Sequence, residues 1–168
     1  MSGAMRGEQM TTRLAVTQAM ADELNDYLMG NDLYRQMLVE TPAGSEQVVM
    51  TLGALLENLA LLGNSEPALS DAQRAQLAAI RDAVARARRT LPDQWQALLH
   101  RELKALLDSR KWYLDDLEQR RAEPDQHGPE AQQRARIDLI LRELGGAAGL
   151  EEERRRLAEL DARERGNL

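Results

Sequence analysis

Apolar positions along the chain recur at three- and four-residue intervals, and this spacing predicts one helix after another. From Thr12 to Met29, Leu14, Thr17, Met20, Ala21, Leu24, Tyr27 and Leu28 fall on one face, the mark of an amphipathic helix. Gly30 supplies its stop, since glycine takes the left-handed conformation at a helix end without a Cβ penalty. Asn31 or Asp32 then caps a short helix carrying Leu33, Tyr34, Met37 and Leu38, and Thr41-Pro42-Ala43-Gly44-Ser45 reads as a loop.

The segment Gln47 to Leu62 has almost no polar face and reads as a central helix. Its start has two readings: Ser45 caps it, or Val48 to Met50 run extended and Thr51 is the cap. Gly63 to Pro67 ends it. Ser70-Asp71-Ala72-Gln73 has the form of a capping box, in which serine and glutamine satisfy each other's backbone amides. That box opens a helix to about Thr90. Pro92 stops it and fits the first turn of the next, where its missing donor costs nothing.

No breaker follows until Pro124, and Trp95, Leu99, Leu103, Leu107, Tyr113 and Leu114 share one broad face. A helix over residues 92–122 would be about 46 Å long at 1.5 Å per residue, against a diameter near ~40 Å for a compact globule of this size. An elongated molecule is therefore expected. A further helix covers 130–144, after a loop at 124–129. Gly145-Gly146-Ala147-Ala148-Gly149 reads as a hinge, and residues 151–165 form a charged helix with Leu150, Leu157 and Leu160 as a thin apolar seam. Its acids stand four residues before its arginines, as in Glu159 and Arg163, a spacing that supports a solvated helix.

The expected fold is all-α: an elongated, mainly antiparallel bundle of five or six helices with one long helix near residues 92–122. The expected domains are a helical bundle over 1–145 and a hinge with charged helix over 146–168, which truncation would remove without unfolding the rest. Composition agrees, since 28 Leu and 24 Ala of 168 residues stand against 3 Ile, 5 Val and no Phe. Leucine and alanine are strong helix formers, while β-branched and aromatic residues furnish strands.

Charge narrows the function classes only a little. Twenty Arg and 2 Lys against 28 acids leave a net charge of −6, and the Arg-for-Lys bias is what GC-rich, bacterial-like codon usage imposes. A negative chain repels nucleic acid and anionic membranes unless its arginines segregate. With no cysteine there is neither a disulfide framework nor a thiolate site. Met1 to Met10 lacks the apolar run of a signal peptide, and Val48 to Leu62 is too short to cross a bilayer. The expected setting is cytoplasmic.

Little catalytic chemistry is legible. A carboxylate-bridged metal pair in a bundle needs Glu-x-x-His, but Ala97 and Pro124 precede the two histidines, His100 and His127. Phosphate loops, dinucleotide fingerprints and nucleophile elbows are missing from the sequence. His100 reads as a half-exposed bundle residue. Glu102 points toward Leu98 and Leu106, and the solvated-rim reading is preferred to a buried pair with an arginine of another helix.

No catalytic, cofactor-binding or metal-binding residue is assigned, and no cofactor is expected. The expected function is a non-enzymatic protein-interaction or assembly module that binds a protein partner or itself. The contact residues named for it are Leu150, Leu157, Leu160, Trp112, Arg120 and Arg121. The first alternative is a small nucleic-acid-associated subunit using arginine clusters; an enzyme without a recognisable motif ranks third.

Overall fold

The structure is a computed structural model that describes residues 7–119, 127–145 and 149–166. It is largely helical, with a small antiparallel hairpin near its start. In chain order the described elements are α1 (Gly7–Met29), β1 (Arg35–Thr41), β2 (Gly44–Met50), α2 (Leu52–Asn64), a 3-10 turn (Glu66–Ala68), α3 (Asp71–Thr90), α4 (Pro92–Glu118), α5 (His127–Leu144) and α6 (Glu151–Gly166). The chain divides into two compact units, one up to Leu98 and one from Leu99, so the division falls inside α4.

The hairpin is the main departure from the expected all-α chain. Residues expected to form a short helix after Asn31 are instead paired strand, with Arg35 opposite Met50, Leu38 opposite Gln47 and Thr41 opposite Gly44. The spacing of Leu33, Tyr34, Met37 and Leu38 fits one helical face, but apolar runs this short cannot separate helix from strand. Local chemistry decides it. Three of the five valines, Val39, Val48 and Val49, fall in these strands, where a branched side chain packs well on a pleated surface. Pro42 and Ala43 make the two-residue connection, and Gly44 takes φ 117°, a conformation that favours glycine.

A hairpin alone is marginally stable in water and needs a helix or further strands to cover one face. That role falls to α1. Arg35, Met37, Val39 and Thr41 form the inward face of β1, with Val39 fully buried, while Gln36, Leu38 and Glu40 point out. Arg35 binds Glu23 of α1 at 2.7 Å, and Tyr27 of α1 donates from its hydroxyl to the Leu33 carbonyl at 2.7 Å. Both bonds tie the entry of the hairpin to the last turns of α1.

The second reading of the α2 start is the one observed. Val48 to Met50 are extended, and the Thr51 hydroxyl accepts from the Ala54 amide at 3.0 Å, capping α2. The capping box at Ser70 and Gln73 is present in full. In the first unit α1, α2 and α3 bury Leu24, Leu28, Leu55, Leu62, Leu77 and Ile80, each contributing about 1.5–3 kcal/mol by leaving water. One polar thread crosses this core: Arg13 donates to the Asn58 side-chain oxygen at 2.6 Å, and the Thr17 hydroxyl donates to the Arg13 carbonyl.

In the second unit the long helix, expected over 92–122, runs to Glu118. Leu103, Leu107 and Leu114 of α4, Ile137 and Ile140 of α5, and Leu157 and Leu160 of α6 are all buried. The sequence pattern sets 146–168 apart at its glycines. In the structure α6 lies in the same compact unit as α5 and the latter part of α4. None of the described helices is long and apolar enough to cross a membrane.

Candidate functional site

The residues named from the sequence fall into three situations. Leu150, Leu157 and Leu160 are buried, so the apolar seam of α6 is spent on packing within its own unit. Trp112 on α4 is 67% exposed, with the Lys111 ammonium 5.5 Å from its ring centre, a cation–π distance. Arg120 and Arg121 lie outside the described residues.

The charged side chains of α6 are partnered across helices, where the sequence spacing had suggested pairs along the helix. Arg156 donates to Asp108 at 2.5 Å, Arg163 donates to Asp115 and Glu118 at 2.7 and 2.9 Å, and Asp161 accepts a forked pair from Arg134, both bonds 2.9 Å. The Arg163 guanidinium, with Lys111 adding to it, holds the Asp115 carboxyl below its ordinary range. Arg163 and Arg134 are in turn pushed above the usual guanidinium value by their carboxylate bonds. Beneath this rim Arg110 is 1% exposed and donates to Glu164.

Glu102 corrects the preferred sequence reading. It is 2% exposed, with Arg136 of α5 3.9 Å away, so the buried pair and not the solvated rim is what forms. Its place between Leu98 and Leu106 on the helix face was the available signal. His100, one turn from Lys104 on α4, meets the buried Glu153 of α6 at 2.8 Å. These bonds run between helices, which makes the cluster a fastening of α4 to α5 and α6. Among the described residues no group of three His, Cys, Asp or Glu side chains is placed to hold a metal ion.

Hollows open on the first unit among the described residues. One, of about 570 Å³, is walled by Gly7, Met10 and Thr11 of α1, Pro42 of the hairpin turn, and Leu69 and Ser70 before α3. Two of its lining hydroxyls are already committed: Thr11 donates to the Gly7 carbonyl, and Ser70 caps α3. Another, of about 340 Å³, lies between α1 and α3 beside Asn25, Arg86 and Thr90, and Thr90 donates to the Arg86 carbonyl. A ligand site needs a few polar groups converging on one point, and the Thr11, Ser70 and Thr90 hydroxyls of these walls are bonded within their own helices or caps.

The surface that stands out is the outer side of the hairpin. Leu38 is 67% exposed, Tyr34 56% and Val49 44%, while on the opposite side Val39 of β1, which packs on α1, and Met50 of β2 are buried. Gln36 faces Val49 and Leu38 faces Gln47 across the ladder, so Leu38 and Val49 are diagonal neighbours on one outer face. The sequence reading missed these residues as a surface because it placed them on a helix. The short apolar run Met37-Leu38-Val39 between Gln36 and Glu40, ahead of Pro42-Ala43-Gly44, was the signal that could have found them.

Comparison with known proteins finds no matching family model, no matching curated relative and no matching solved structure.

Proposed function

We propose that this chain is a non-enzymatic protein-interaction or assembly module of mainly antiparallel helices, working in the cytoplasm, with the outer face of the hairpin as its docking surface. The observation that carries this reading is the exposure of Leu38 and Val49 on one face of the strand pair, with Tyr34 exposed just before β1, while Val39 and Met50 of the other face are buried. Apolar side chains gathered on one face, rimmed by polar Gln36, Glu40 and Gln47, have the make-up of a protein contact. The α6 leucines, expected to serve a partner, are buried in their own unit.

Nucleic-acid binding finds less support. Arg134, Arg156 and Arg163 are engaged by carboxylates, and Arg88 and Arg89 sit in the last turn of α3, where cations oppose the helix dipole. The test is capture of bound proteins by the full-length chain and by its Leu38→Lys and Val49→Lys variants. Partners should be lost from both variants while the far-ultraviolet circular dichroism and melting stay unchanged. The same partners recovered on all three proteins would remove the hairpin from the reading.

A further inference from the structure

We propose that the partner of the hairpin is a second copy of this chain, pairing antiparallel along the free edge of β1 with the two-fold axis at Leu38. The proposal rests on the interaction-module reading and names its partner. The sheet has two strands, so among the described residues β1 pairs with β2 and with no strand on its other edge. Along that edge alternate residues turn N–H and C=O groups outward, a template for another chain.

Proteins that keep such an edge single guard it with lysine, proline, a bulge, a very short strand or inward-pointing charge. β1 has no lysine, proline or bulge, and its one inward charge, Arg35, is held by Glu23 of α1. It runs seven residues, Arg-Gln-Met-Leu-Val-Glu-Thr, and matches β2 one for one without a bulge. Its two charges are turned to their own chain: Arg35 is held by Glu23 at 2.7 Å, and Glu40 accepts from the Ser45 hydroxyl at 2.5 Å.

Charge and length together fix the register. Leu38 is the midpoint of Arg35–Thr41, so only a two-fold at Leu38 pairs the whole strand with itself. That register sets Leu38 on Leu38 of the second copy, Gln36 opposite Glu40, Met37 opposite Val39 and Arg35 opposite Thr41. No like charges meet. A two-fold at Glu40 would set two carboxylates directly opposite, which destabilises a ladder, and one at Val39 would set Glu40 against Leu38. The edge of β2 is the poorer choice. Its midpoint Gln47 would pair with itself and leave Leu38 in water. Pairing through β1 instead joins Val49, Leu38 and their copies into one apolar stripe across a four-stranded sheet, which is wide enough to be stable where two strands are not.

The chain has no cysteine, so single thiols can read the register. Across a two-fold at Leu38 the two Leu38→Cys side chains would have Cβ atoms roughly 4.5–5.5 Å apart, near disulfide reach. Two Gln36→Cys side chains would stand about 13 Å apart, four strand residues away. The full-length protein should sediment as a concentration-dependent dimer, and Leu38→Lys should sediment as monomer with an unchanged circular dichroism spectrum. Mild oxidation should link Leu38→Cys to itself, and Gln36→Cys to Glu40→Cys when the two are mixed, but should leave Gln36→Cys alone unlinked. A dimer that survives Leu38→Lys, or Gln36→Cys linking to itself as fast as Leu38→Cys, overturns the proposal. So does a wild-type chain that stays monomeric throughout; Leu38-dependent capture of foreign partners would then decide the wider reading by itself.

Discussion

Nε2 of His100 lies 2.8 Å from Oε1 of Glu153, joining the first part of α4 within the second unit to the first turn of α6. An ionised carboxylate only accepts, so the imidazole is the donor. The bond holds the Glu153 carboxyl below its ordinary value against the opposing effect of burial, and Lys104 adds a weaker attraction. A carboxyl whose pKa is lower in the folded than in the unfolded chain binds fewer protons when folded. Its stabilisation is complete above the ordinary carboxylate range and is lost as pH falls through the lowered value. Urea unfolding followed between about pH 3 and 7 should therefore show an acid limb that is shallower in His100→Ala. At neutral pH that variant should lose about 1–3 kcal/mol, because a buried acceptor gives up its donor. Parallel curves for the two proteins would mean that the bond contributes nothing.

How much of this was legible depends on how far apart the partners lie in the chain. The capping box at Ser70 and Gln73 and the first-turn Pro92 are local devices, written within four residues, and each forms where its residues predict, while the cap at Thr51 is one of the two readings the sequence left open. The hairpin failed for a local reason as well: Leu33, Tyr34, Met37 and Leu38 keep helical spacing, and only the valines and the Pro-Ala-Gly turn argue for strand. That Glu102 could be buried was legible from its helix face, but that Arg136 is the neighbour it meets, or that Arg163 meets Asp115 and Glu118, was not, because these partners come from different helices and Arg163 also has Glu159 four residues before it. Which pairing wins is decided by packing of the buried leucines, and a one-dimensional pattern does not contain it. The exposed Leu38 face was hidden behind the same helix-for-strand error.

The hairpin passes into α2 through Thr51, a buried residue whose hydroxyl caps the helix. Thr51→Ala should cost about 0.5–2 kcal/mol, the range for losing a cap. Gly44→Ala should also destabilise, since alanine is strained at φ 117° even though a Cβ there meets nothing within 4 Å. Hydrogen exchange should locate the second effect in residues 35–50 and the first in the opening turn of α2. Gly44→Ala melting like the wild type would show that the turn relaxes without strain.

Trp95 is buried in the first turn of α4, and its indole N–H meets no acceptor among the described residues. Trp95→Ala should cost about 3–5 kcal/mol, the loss of a large core ring with its cavity. Trp95→Phe should cost much less, because it keeps most of the ring and removes a buried polar group that gains nothing in the folded chain. Equal losses for the two variants, measured by chemical denaturation, would mean that the indole nitrogen has a partner after all.

Residues 146–168 are the sharpest test of where the second unit ends. On sequence alone the seam of Leu150, Leu157 and Leu160 is too thin to hold a helix in a core, and a truncated chain would melt as before. In the structure all three leucines are buried, and α6 also supplies the carboxylates that accept from Arg110, Arg134 and His100. Removing the segment would expose the faces of α4 and α5 that these leucines cover and would strip bonds from a buried arginine. Breaking a buried charge pair costs several kcal/mol beyond the lost packing. The truncated protein should therefore lose the cooperative melting of the second unit, and Leu157→Ala or Leu160→Ala alone should lower its stability by about 2–5 kcal/mol. The first unit, which ends at Leu98, should keep its own transition. Calorimetry of the full chain, the truncation and the two alanine variants reads all of this directly. An unchanged melting profile after truncation would show α6 to be an appendage, and its leucines would again be candidates for a partner.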